Sequence, residues 1–218
     1  MNKNEKFVIS INRELGSGGR TVGRILAEKL GVHFYDKAVI KALEEKYQLN
    51  EEVIEKLKGR KHNWWGDFER IVQIGQGLTS TDSAYYTDKG SSLPTTDEMF
   101  KVETEILRDI ANEESCVVAG RSGFYVFRDH PNHLNVLIQA PIAYRVERVA
   151  KKQNITLEEA RKTIERVDRM RENYVKKFTN VSRYDARFYE IVITMDKITE
   201  EDAVAIILDY INRQSSGK

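Results

Sequence analysis

The stretch FVISINRELGSGGRTVGRILAEKLG, residues 7–31, decides the fold. Val8, Ile9 and Ile11 form a short apolar run, the pattern of a strand covered on both faces. Gly16, Gly18 and Gly19 follow as a turn. The spacing of Val22, Ile25, Leu26 and Leu30 then predicts a helix from Thr21, stopped by Gly31. A helix N-terminus exposes unpaired backbone N–H groups and about half a positive charge. Glycines just ahead of it let phosphate oxygens reach the backbone without meeting a Cβ. Residues 16–21 therefore read as a phosphate cradle, with the Thr21 hydroxyl placed to meet a magnesium ion. Two other readings fit the same letters. GSGGRT with Asp36 about twenty residues on approximates the dinucleotide fingerprint, with Thr21 in place of its third glycine. A plain glycine-rich strand-to-helix turn is the third.

Working outward, VHFYD is a second strand ending at Asp36, and a helical region follows to roughly Lys58. Residues 59–97 change character. They are rich in Gly, Ser, Thr and aromatics with weak periodicity, as in a lid or binding insert. Thr95 and Glu98 read as a capping box for a helix with Met99, Val102, Ile106 and Ile110 on one face. SCVVAG, HLNVLIQA and YEIVITM supply three more strands. Thr156 with Glu159 caps a charged helix to about Lys177, and Thr199 with Asp202 opens the closing one. Strands alternating with helices imply an α/β fold: a parallel sheet covered on both faces.

The 218 residues suit one domain, 40% hydrophobic and 32% charged. A net charge of +1 gives no general pull toward nucleic acid or a membrane surface. No apolar stretch approaches the roughly 18 residues of a membrane span. The N-terminus has no signal-peptide core, so a cytoplasmic location is expected. Cys116, in an apolar run, reads as a buried and inert thiol. The four histidines lack metal-ligand spacing, and the Trp64–Trp65 pair either floors a base pocket or anchors the insert.

ISINRELGSGGRTVGRILAEKLG followed by FYDK resembles the opening of the cytidylate kinase-like family among the P-loop nucleoside monophosphate kinases. VVAGRSGFYVFRDHP, VLIQAPIAYRVERV and ERVDRMREN are similar to later family segments. The resemblance implies a three-layer P-loop fold with a five-stranded parallel core and a helical lid at 156–180. The variable insert at 59–97 becomes the acceptor-binding region of one domain spanning 1–218. It further implies transfer of the ATP γ-phosphoryl group to a nucleoside monophosphate, with magnesium. A nucleotide-binding regulator that transfers nothing is the alternative.

On this reading Gly16, Ser17, Gly18, Gly19, Arg20 and Thr21 hold ATP, and Thr21 also meets the metal. Phosphoryl transfer asks for positioning and charge neutralisation, which the planar fork of arginine suits. Arg20, Arg121, Arg166 and Arg169 are the candidate catalytic cations. Asp36, Arg121, Arg145 and Arg171 are the candidate substrate contacts. Asp36 reads equally as an acceptor contact, a water-mediated magnesium ligand or a helix N-cap. Arg166 and Arg169, three apart, share a helix face, with a solvated charged surface as the plain alternative. Laid without gaps on the family's loop, Arg13 stands at the first glycine and Gly19 at the lysine. Arg20, one position later, is expected to substitute for that lysine. Ala119 replaces the acid of Asp-Gly-Arg, Met170 and Asn173 replace an Asp and an Arg of the lid run, and Ala42 replaces an arginine after the second strand.

Overall fold

The computed structural model describes residues 1–36, 97–120 and 122–216. The helix expected to Lys58, residues 59–96 of the insert with Trp64 and Trp65, Thr95 and Arg121 lie outside the described residues.

Strands β1 (Val8–Arg13), β2 (His33–Tyr35), β3 (Cys116–Ala119), β4 (His133–Gln139) and β5 (Ile191–Thr194) form one sheet in the order β2-β3-β1-β4-β5. Every pairing is parallel, with Ile11 opposite both Ala119 and Val136. A parallel strand needs a crossover, and its helices cover both faces. These are α1 (Gly19–Leu30), α2 (Asp97–Glu113), the single turn α3 (Gly123–Val126), α4 (Ile142–Gln153), α5 (Leu157–Thr179) and α6 (Glu200–Ser216). The alternation of β1 sends Phe7, Ile9 and Ile11 into the main core with Val22, Leu26, Val204 and Ile207.

Two capping boxes read from sequence are present. The Thr156 Oγ1 accepts from Glu159 N while Glu159 Oε2 accepts from Thr156 N. Thr199 and Asp202 exchange the same pair of bonds. Helix α1 begins at Gly19, two residues before the expected Thr21, because Gly18 serves as a left-handed N-cap with φ 88°. The segment expected as a lid is one 23-residue helix, α5. Its first half buries Ala160 and Ile164 with Leu15 and Val149, and its second half buries Val175 with Phe124 and Leu137. Among the described residues, no helix is long and apolar enough to cross a membrane.

Candidate functional site

β1 ends at Arg13, and the chain turns through Glu14–Gly18 into α1 at the carboxyl edge of the sheet, the edge where α/β folds bind ligands. Ser17 closes the turn: its N–H and its Oγ–H both donate to the Glu14 carbonyl, at 3.3 and 2.9 Å. Gly16 has φ 84°, and a Cβ there would lie 2.9 Å from the Arg145 carbonyl. Only glycine fits a left-handed residue backed so closely by α4. Val22 N donates to Gly18 O, and Gly19 N reaches Ser17 Oγ at 3.4 Å. Among the described residues the amides of Gly16, Gly18 and Thr21 have no hydrogen-bond acceptor. Those are the donors a phosphate would meet.

The cleft beside these amides is cationic. Arg13, Arg20, Arg148, Lys152 and Arg171 line it together with Thr21. Lys152 is held below its ordinary pKa by partial burial first and by the Arg20 charge second, against the pull of Glu200. Crowded cations of this kind gain from an anion between them. Arg148 pairs with Glu200, and the pair packs where a Gly18 side chain would sit.

The site residues expected from sequence separate into three placements. Gly16 to Thr21 form the cradle. Arg20 lies at the cleft, but its Nε donates to Asp36 Oδ2 at 2.7 Å, and the Asp36 side chain is 1% exposed. Asp36 thus ties β2 to the loop. Arg145 is buried beneath the loop instead of open to a substrate. Its Nη1 donates to Asp168 Oδ2 at 2.6 Å and to Leu15 O at 3.4 Å, and its Nη2 lies 3.5 Å from Glu14. Arg171 reaches the cleft and donates to Arg13 O at 3.4 Å. Arg166 and Arg169 stand on the exposed face of α5, while Val167 and Arg171 line the cleft and Asp168 turns inward.

Sequence reasoning missed the anchors. Asp168 Oδ1 accepts from Leu15 N at 3.0 Å, so α5 holds the loop backbone directly. Arg183 is 2% exposed, and its Nη2 donates to Asn12 Oδ1 at 2.8 Å and to the Arg13 carbonyl. Asn12 Nδ2 returns a bond to the Arg183 carbonyl at 2.9 Å. Glu14 Oε2 accepts from Ala140 N at 3.0 Å. For Arg183 the sequence carried no signal beyond its charge. For Asp168 the one hint was its place between Arg166 and Arg169.

A five-stranded parallel sheet of this order, with a glycine turn whose amides open into a cationic cleft, defines a P-loop phosphotransferase fold of the kinase type. The chain belongs to the cytidylate kinase-like family, whose model matches residues 8–197. It is 30% identical to the cytidylate kinase of Pyrococcus horikoshii over 204 residues, covering 93% of this chain and 87% of that one. The cytidylate kinase of Methanopyrus kandleri is 23% identical over 209 residues, covering 92% and 90%. Among solved structures, an uncharacterized protein from Eubacterium ventriosum superposes with a TM-score of 0.66 at 22% identity, covering 94% of this chain and 98% of that one.

Proposed function

We propose that this protein transfers the γ-phosphoryl group of ATP to a nucleoside monophosphate, in the cytoplasm. The observation that carries the reading is the set of open amides at Gly16, Gly18 and Thr21 facing a cleft lined with arginine and lysine, in a chain of the cytidylate kinase-like family. The amides would hold the β- and γ-phosphates, since backbone donors at a helix N-terminus bind anions without reorganising. Thr21 would meet the magnesium ion that travels with the nucleotide, and that ion would neutralise phosphate charge. Arg171 lies at the cleft to gather charge, and Arg121, next after Gly120, belongs to the same proposal as the acceptor contact. Arg166 and Arg169 serve transfer only if α5 turns its outer face toward the loop, so their substitution is expected to leave ATP binding unchanged.

A second reading, a nucleotide-binding regulator, draws on the Arg20–Asp36 pair and on Ala119. The first engages the expected lysine substitute with a buried carboxylate, and the second leaves β3 without a carboxylate at its end. One assay separates the two. Purified protein is incubated with magnesium-ATP and each of the common ribo- and deoxyribonucleoside monophosphates, and diphosphates are quantified. Formation of a nucleoside diphosphate supports transfer. Binding of ATP with no product from any acceptor sinks it in favour of the regulator.

A further inference from the structure

Arg13 and Gly19 exchange the residue types that a phosphate loop ordinarily carries at their positions: an arginine where a glycine is usual, a glycine where a lysine is usual. The two positions touch. A Cβ built on Gly19 would lie 2.6 Å from Arg13 Cβ and 3.2 Å from its Cγ, with Ile138 Cβ at 2.9 Å on the other side. The volume that a side chain at 19 would fill is therefore occupied by the stem of Arg13. Restoring a lysine at 19 is sterically closed while Arg13 is present.

The guanidinium continues past Gly19 to the end of β3. There Gly120 has φ 83°, and a Cβ would fall inside Arg13 Nη1. Both glycines thus make room for one arginine. Its backbone is held as well, because the Arg13 carbonyl accepts from Arg171 Nη1 and from Arg183 Nη2. A fixed main chain and a walled side-chain channel aim the guanidinium across the strand ends and along the cleft it lines. Arg20 Nε donates to Asp36 Oδ2 at the end of β2.

We infer that Arg13 supplies the cation of the missing lysine, contacting the terminal phosphate of a bound nucleoside triphosphate, while Arg20 fastens the loop to β2. The inference rests on the proposed reading only in taking the ligand to be a triphosphate. It does not require transfer.

The test measures equilibrium binding of magnesium-ATP and magnesium-ADP by calorimetry, on the full chain. The wild type is expected to prefer ATP at least tenfold. Arg13→Gln should lose about tenfold or more in ATP affinity while changing ADP affinity less than twofold, and Arg13→Lys should recover part of the loss. Arg20→Gln should weaken both nucleotides alike. Gly120→Ala provides a second route: alanine at φ 83° is strained in itself, which should weaken ATP and ADP alike, while its methyl crowds the Arg13 guanidinium and so lowers the preference for ATP. Combined with Arg13→Gln it should add nothing to the loss of ATP preference, since both remove one contact. Arg13→Gln that weakens ATP and ADP equally, or neither, overturns the inference. So does the loss of ATP preference in Arg20→Gln alone, or a wild type that binds no ATP. Intact ATP preference lost in Arg13→Gln, in a protein that phosphorylates no acceptor, keeps this inference and rejects the proposed transfer.

Discussion

Partial burial of the His133 ring beside Phe127, with Nε2 3.3 Å from Ser10 Oγ, shifts its protonation. Desolvation first, then the charge of His130, lowers its pKa from 6.5 to about 4, against a hydrogen bond to the Phe127 backbone that raises it. Between those values the unfolded chain binds a proton that the folded chain refuses. The contribution to stability is therefore full above pH 6.5 and is lost as pH falls toward 4. Between pH 7 and pH 5 this one group should cost about 2 kcal/mol. Urea midpoints across that range measure it, and His133→Gln should flatten that part of the slope. An unchanged slope would assign the loss to other groups. Cys116 needs no such titration: burial and the nearby Glu114 push its thiol far above the physiological range, as its apolar surroundings in the sequence indicated.

Between elements, the connection of α5 to the phosphate loop through Asp168 carries the heaviest demand. Asp168 takes the Leu15 N–H and the Arg145 guanidinium together, and its side chain is 12% exposed. Removing one partner of such a pair strands the other, which costs about 3 kcal/mol or more. Asp168→Ala is expected to show that loss in chemical denaturation and a weakened hold on ATP. Asp168→Asn, which still accepts from Leu15 N, should keep more of both. Full ATP affinity in Asp168→Ala would separate the anchor from the cradle. The N-terminal cap of α5 lies at the exposed end of the helix, so Thr156→Ala should cost only about 1 kcal/mol. Denaturation midpoints with unchanged nucleotide affinity would check that.

Local patterns made the frame legible. The strands, the glycine turn and the two capping boxes depend on residues within four positions of one another, where periodicity and hydrogen-bonding groups leave a mark. The roles of the arginines depend on partners far away in sequence. Arg145 meets Leu15 across 130 positions, and Asn12 meets Arg183 across 171. Nothing near Arg145 distinguishes a buried strut from a substrate contact, and Arg166 and Arg169 share a face without revealing that it points to solvent. Arg13 was the exception. Its exchange with Gly19 stands in the letters, but its meaning required knowing that the two side-chain volumes coincide.

At the scale of the whole molecule, the cradle belongs to every layer at once, so filling it should stabilise the entire fold. A ligand at a hundred times its dissociation constant adds about 2.7 kcal/mol. For a chain of this size that corresponds to roughly 5–10 °C in melting temperature. Scanning calorimetry with magnesium-ATP should show the shift, and sodium sulfate at equal ionic strength should give much less. Equal shifts from both would mean that the cleft reads only a doubly charged anion.

The distances along the chain at which the loop is anchored also govern its birth. The glycine turn is synthesised well before Arg145, Asp168 and Arg183, the residues that brace its backbone. A nascent chain halted before those residues emerge carries the whole loop sequence without these three braces. On the proposed function, nucleotide capture follows closure of the core during synthesis and does not precede it.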